Sequence, residues 1–71
     1  MEYSPWVKNM NRVREVRLQR GLTQIELAHL AKVSQKKISL IENDQNKNFS
    51  LAVAQRIAKV LNQTVDYLWP F

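Results

Sequence analysis

The amino-acid sequence predicts an all-α domain, a compact bundle of five helices with short connections. Apolar residues recur at spacings of three and four, and the period-two alternation of β-branched residues that marks strands is absent. The chain has one Gly and two Pro, and both Pro residues lie near the ends, so little interrupts helical segments. Its 71 residues are enough for a single domain.

The first predicted helix ends at Gly21, because Gly suits the left-handed conformation found just past a helix C-terminus. Two starts are compatible with the residues. Ser4 and Pro5 form a cap followed by Pro at the first helical position, and a second start lies nearer Asn9. The apolar stripe of this helix consists of Met10, Val13 and Val16 and, for the earlier start, Trp6.

The second and third predicted helices are joined by only three residues, Lys32, Val33 and Ser34. Thr23 caps the second helix, and Glu26 completes a capping box three residues later. Ser34 caps the third helix. So short a turn between two capped helices requires a steep crossing, which is typical of a helix-turn-helix. The inward residues are Leu27, Ala28 and Ala31 on the second helix, and Ile38 and Ile41 on the third.

The polar segment 43–48 is predicted to be a loop, after which Ser50 caps a fourth helix that Asn62 closes. Thr64 caps a short fifth helix that ends before Pro70. The fourth helix is predicted to turn Leu51, Ala54, Ile57, Ala58 and Leu61 inward, and Val65, Leu68 and Trp69 give the fifth helix an apolar surface.

The composition limits the kinds of partner. Eleven Lys and Arg residues against six Asp and Glu give a net charge of +5. This excess favours a polyanionic partner such as nucleic acid, although plain solubility and a membrane surface are also compatible with it. The chain has no Cys and one His, which excludes disulfides and leaves zinc without its usual ligands. No apolar run approaches the ~20 residues of a membrane span, and the N-terminus lacks the order of a signal peptide. We therefore expect a soluble, cytoplasmic protein.

In a helix-turn-helix, the second helix of the pair lies in the major groove and contacts bases with residues near its N-terminus. Those residues are here Gln35, Lys36 and, one turn later, Ser39. A Gln amide can bond adenine, Lys can donate to guanine, and Ser can serve either base. The alternative is a polar helix face that is simply solvated. The short turn, the two caps and the basic excess together favour DNA binding.

The sequence resembles the phage repressor and Cro-type helix-turn-helix family, also called lambda-repressor-like or xenobiotic-response-element-like domains. The resemblance covers residues 9–69, which form the predicted domain, with 1–8 as an extension or first turn of helix 1 and 70–71 as a tail. It implies a lambda-repressor-like five-helix bundle. The residues that carry it are Arg20-Gly21-Leu22-Thr23-Gln24, Glu26-Leu27-Ala28, Val33-Ser34-Gln35, Ile38-Ser39, Ile41-Glu42-Asn43, Ile57-Ala58 and Leu61.

The resemblance implies a role for each matching position. Base-reading positions correspond to Gln35, Lys36 and Ser39. Gln24 corresponds to a residue that contacts phosphate and supports the first residue of the recognition helix. Arg17 and Glu42 correspond to a salt bridge between the first and third helices, for which the alternatives are a phosphate contact or an idle surface charge at Arg17. The predicted contacts with the DNA backbone are Gln24, Lys37, Asn43 and Lys47.

The sequence departs from the family pattern at three positions. Lys37 adds a third basic or polar group next to the groove. Lys32 replaces the Gly usual in the turn, where a left-handed backbone would cost about 1 kcal/mol. Leu40 occupies a position that is often polar and reads bases or phosphate. A contact between Leu40 and a thymine methyl is conceivable, but an exposed Leu needs no functional explanation.

The end of the chain, Leu68-Trp69-Pro70-Phe71, is a candidate dimer interface. Chain ends rarely bury fully in their own core, and related repressors dimerise through this region. An exposed aromatic cluster would suit such a contact. We therefore predict that Leu68, Trp69 and Phe71 contribute to a homodimer.

The residues indicate no enzyme, metal or cofactor. A capping box accounts for Glu26 and a salt bridge for Glu42, while His29 lacks a catalytic partner at a suggestive spacing. We expect a transcriptional regulator, a repressor that binds a palindromic operator in double-stranded DNA as a dimer. The alternatives are an antitoxin of the same fold, which binds a toxin and DNA, and a protein-interaction module without DNA binding.

Overall fold

The computed structural model describes residues 11–43 and 49–70. This part of the chain forms five helices, which confirms the predicted all-α bundle. Their bounds are α1 (Val13–Gln19), α2 (Gln24–Ala31), α3 (Gln35–Glu42), α4 (Leu51–Leu61) and α5 (Val65–Leu68). Among these described helices, none combines the length and apolarity needed to cross a bilayer.

Helix α1 begins later than either predicted start. Its first residue is Val13, and Arg12 has the non-helical dihedral angles φ −104° and ψ 12°. The Arg12 amide donates to the Leu68 carbonyl at 2.8 Å, so the chain here bonds to α5 instead of continuing a helix. A continuous helix from Ser4 or Asn9 to Gly21 is therefore wrong. The predicted starts themselves lie outside the described residues, as do Trp6 and Met10.

The predicted N-caps of the other helices are confirmed. The Thr23 hydroxyl accepts from the Glu26 amide, and the Glu26 carboxylate accepts from the Thr23 amide, which together form the capping box. The hydroxyls of the remaining cap residues accept a backbone N–H in the first turn, and these residues are Ser34, Ser50 and Thr64.

Helices α1, α2 and α4 end in the same way, with a residue in the left-handed conformation. These residues are Gly21 at φ 71°, Lys32 at φ 61° and Asn62 at φ 57°. In each case the next amide donates back to a carbonyl five residues earlier, as in the Schellman motif. The strained backbone anticipated at Lys32 is therefore present.

The core contains buried residues from all five helices. Its fully buried members include Leu27 from α2, Ile38 and Ile41 from α3, and Ile57 and Leu61 from α4. Leu51, which we predicted to face inward, is instead 64% exposed. As the first residue of α4 it precedes the turns that pack against the core.

The C-terminal residues are more buried than the sequence suggested. Leu68 is 0% exposed and belongs to the core, so its assignment to a dimer interface is wrong for the folded protomer. Trp69 is partly buried, and its ring lies 5.2 Å from the ring of Phe49. Phe71 lies outside the described residues. The short helix α5 folds back on its own bundle, where the Leu68 carbonyl accepts from Arg12.

Candidate nucleic-acid interface

Helix α3 presents opposite faces to the core and to solvent. Ile38 and Ile41 are buried on the inner face. Gln35 and Lys36 are exposed at the N-terminal end, and Ser39 is half-buried. Gln35 and Ser39 are four residues apart and therefore lie on one stripe of the helix, with Lys36 beside it. The structure thus brings the three predicted base-reading side chains to one end of one helix face.

The remaining residues near α3 differ in exposure. Lys37 and Leu40 are half-buried, and Asn43 is exposed at the C-terminal end of the helix. Lys47, predicted to approach the DNA backbone, lies outside the described residues. Leu40 is thus less exposed than we expected.

The exposed surface of α3 is positively charged. Lys36 and Lys37 lie in its first turn, where there is no acidic residue. The acidic residue within the helix, Glu42, is buried and paired. A groove-facing helix without exposed carboxylates avoids repulsion from phosphate groups.

Glu42 is the centre of a buried hydrogen-bond network that joins three helices. The side chain of Glu42 is 1% exposed, and its Oε2 accepts from Arg17 Nε at 2.6 Å. Its Oε1 accepts from Arg17 Nη2 at 3.2 Å and from Gln24 Nε2 at 3.1 Å. Arg17 Nη1 also donates to the Leu22 carbonyl at 2.7 Å. Because both charges are paired and hydrogen-bonded, the cost of burying them is largely offset.

The structure therefore brings Arg17 and Glu42 together, and it connects Gln24 to the same carboxylate. Gln24 is the first residue of α2 and is half-buried. Its hydrogen bond reaches Glu42 at the end of α3, not Gln35 at the beginning. A primary amide carries two N–H groups, and within residues 11–43 and 49–70 the Gln24 amide donates one of them, to Glu42. A phosphate contact by the Gln24 amide remains a prediction.

Two long-range hydrogen bonds that hold the helix-turn-helix were not foreseen. Arg56 Nε of α4 donates to the carbonyl of Ala31, the last residue of α2, at 2.9 Å. Asn11 Nδ2 donates to the Ile41 carbonyl of α3 at 2.8 Å. The sequence separations are 25 and 30 residues, so no local spacing signals either contact.

Helices α2 and α3 are capped and joined by a short turn, and α3 exposes amide and basic side chains. This arrangement is typical of a helix-turn-helix domain. The family profile described as Helix-turn-helix (HTH_3) matches residues 13–68. The chain belongs to this Cro/C1-type helix-turn-helix family of DNA-binding regulators. No curated protein sequence matches the chain.

Solved structures show the same fold. The restriction-modification controller protein C.AhdI from Aeromonas hydrophila is 31% identical at TM-score 0.76, over 92% of this chain and 97% of that one. SinR in complex with DNA is 30% identical at TM-score 0.71, over 76% of this chain and 86% of that one. SinR, a Bacillus subtilis protein, also matches in its complex with SinI, at 29% identity and TM-score 0.73. That alignment covers 78% of this chain and 53% of the matched chain, so this chain spans about half the length of the chain that it matches in that complex.

Proposed function

We propose that the protein is a sequence-specific regulator of transcription that reads double-stranded DNA with α3. The observation that carries this proposal is the placement of Gln35, Lys36 and Ser39 on one solvent-facing end of a helix whose other face is buried. In the helix-turn-helix docking geometry, this end enters the major groove. Amide, ammonium and hydroxyl groups match the hydrogen-bonding edges of bases there.

Phosphate contacts complete the proposed interface. The candidates are Gln24 at the start of α2, Lys37 on α3, Asn43 just after α3, and Lys47 further along the chain. Such contacts fix orientation on the duplex without reading sequence. The net charge of +5 supplies the long-range attraction.

The finer proposal is a cytoplasmic repressor that occupies a palindromic operator as a homodimer. Support comes from the similarity to SinR, described as a master regulator and solved with DNA, and to the controller protein C.AhdI. One α3 reads one half-site, so two copies related by two-fold symmetry would read a palindrome. The proposal includes no catalytic step and no cofactor.

A second candidate function is binding of a protein partner, as in an antitoxin. It is favoured by a groove on the outer side of α2, lined in part by Leu22, Ile25 and Leu30. Ile25 is 62% exposed and Leu30 is 52% exposed. SinR, a structural neighbour, has been solved in complex with SinI. The double substitution Ile25→Ser and Leu30→Ser would leave DNA binding intact if this groove serves only a protein partner.

Selection of bound duplexes from a random DNA pool tests the proposed function directly. We expect enrichment of one palindromic sequence by the wild-type protein and loss of that enrichment with Gln35→Ala. The control is Gln55→Ala, because Gln55 is an exposed amide on α4 and not on α3. This variant should enrich the same sequence as the wild-type protein. Recovery of random sequences by the wild-type protein contradicts sequence-specific recognition.

A further inference from the structure

The C-terminal end of α3 is held by a hydrogen bond from a side chain outside the helix. The last four carbonyls of a helix need partners from outside its regular ladder. For the Ile41 carbonyl, the side chain of Asn11 provides that partner at 2.8 Å.

Asn11 makes two hydrogen bonds with one buried amide. Its Nδ2 donates to Ile41, and its Oδ1 accepts from the Val13 amide at the start of α1 at 3.0 Å. The residue is 7% exposed, so water competes little for either bond. A single planar group therefore fixes the end of α3 against the beginning of α1.

This contact and the Arg17–Glu42 ion pair together form a two-point attachment of α3 to α1. They engage adjacent residues of α3, Ile41 and Glu42. On the other side they start from Arg17 of α1 and from Asn11, six positions earlier and just before α1. The Arg17–Glu42 pair is bidentate and directional, but it holds α3 through the side chain of Glu42 and not through the backbone. A second, directional hydrogen bond to the backbone restricts both the tilt and the rotation of the helix.

We propose that Asn11 is a positioning residue for sequence recognition, acting on DNA specificity through the orientation of α3. This inference rests on the proposed function of α3 in reading bases. Base contacts need a geometry held within ~0.5 Å, whereas phosphate attraction tolerates larger displacement. Loss of the Asn11–Ile41 hydrogen bond therefore weakens binding to the preferred operator more than binding to unrelated DNA.

The substitution Asn11→Ser removes this hydrogen bond without adding a charge. The serine hydroxyl can still accept from the Val13 amide, but it is too short to donate to the Ile41 carbonyl. We expect a ~5-fold loss of affinity for the selected operator and little change on a random duplex of equal length. Ala54→Gly, which weakens α4 at a buried site, is the control for general destabilisation and should leave the ratio of the two affinities unchanged.

Hydrogen exchange supplies a second measurement that needs no DNA. The Asn43 amide, which donates to the Ser39 carbonyl at 3.1 Å, should exchange ~5-fold faster in Asn11→Ser than in Ala54→Gly. Unchanged exchange together with an unchanged affinity ratio overturns the positioning role, as does an equal loss of affinity on both duplexes. A wild-type protein that does not distinguish the two duplexes contradicts the proposed function instead, and the exchange rates then still test whether Asn11 holds the end of α3.

Discussion

Arg17 and Glu42 pair at 2.6 Å across the interface between α1 and α3, although 25 residues separate them in the sequence. Gln24 adds the first residue of α2 to the same carboxylate. Helices α2 and α3, which form the helix-turn-helix, and α1, which packs beside α3, are thus joined through the side chain of Glu42. The placement of α3 depends on a buried charge that is fully partnered only in the folded protein.

Removing the charge of Glu42 should therefore destabilise the fold strongly. Glu42→Gln leaves the Arg17 guanidinium buried without a counter-ion, and we expect the free energy of unfolding to fall by ~3–5 kcal/mol. Denaturant melts measure this change. The exposed Glu15 of α1 offers a matched control, since Glu15→Gln should change stability by less than ~0.5 kcal/mol. Equal stabilities of the two variants would show that the pair contributes no more than a surface contact.

The backbone of Lys32, in the turn between α2 and α3, is strained, and a substitution by Gly should relieve this strain. Lys32 adopts φ 61°, a conformation that costs a side-chain-bearing residue about 1 kcal/mol and Gly almost nothing. Lys32→Gly should raise the free energy of unfolding by up to ~1 kcal/mol. Asn62→Gly, at the equivalent position of α4, should raise it less, because Asn tolerates this conformation. A loss of stability in Lys32→Gly would mean that the lysine side chain makes a compensating interaction.

Gly21 allows the opposite substitution, in which a left-handed Gly is replaced by a residue with a side chain. It has φ 71°, and a Cβ added there meets no atom within 4 Å. Gly21→Ala should therefore cost about 1 kcal/mol from the backbone alone, with no steric contribution. Thermal or chemical unfolding measures this value. A much larger loss would indicate that the chain rearranges around the turn.

The features that the sequence predicted well are those decided by neighbouring residues. Thr23 and Glu26 are three positions apart and bond each other, so their capping box is visible in the sequence. Gly21 and Asn62 are residue types suited to the left-handed conformation that they adopt. Helix boundaries from α2 onwards were therefore predictable.

The features that sequence reasoning missed depend on distant contacts. The start of α1 is set by the hydrogen bond from Arg12 to Leu68, whereas Ser4 and Asn9 offered only local capping signals. Leu68 was assigned to a dimer interface because it lies near the chain end, yet α5 packs it into the core. No residue spacing indicates that Asn11 reaches Ile41. These contacts become apparent only when the helices are packed together.

The proposed homodimer predicts two protomers on each minimal operator. Their recognition helices should lie ~34 Å apart, one turn of the duplex. Native mass measurement of the saturated complex checks the stoichiometry, and one protomer per palindrome contradicts it. Because Leu68 is buried, Trp69 and Phe71 remain the predicted dimer contacts at the C-terminal end.

The substitutions Gln35→Ala and Lys47→Ala distinguish base reading from phosphate binding. Gln35 is exposed at the beginning of α3, where its amide can make two hydrogen bonds to one base. Gln35→Ala should cost ~1–3 kcal/mol of binding free energy on the selected operator and little on random DNA.

Lys47 is the comparison, since its expected role is a contact with the DNA backbone. Lys47→Ala should weaken binding to both duplexes about equally and reduce the salt slope by ~1, because one fewer counter-ion is released. Titrations of both variants on selected and random duplexes at several salt concentrations distinguish the two effects. An equal loss on both duplexes for Gln35→Ala would remove Gln35 from the base-reading set. The groove-facing surface would then have to include other side chains of α3, beginning with Lys36 and Ser39.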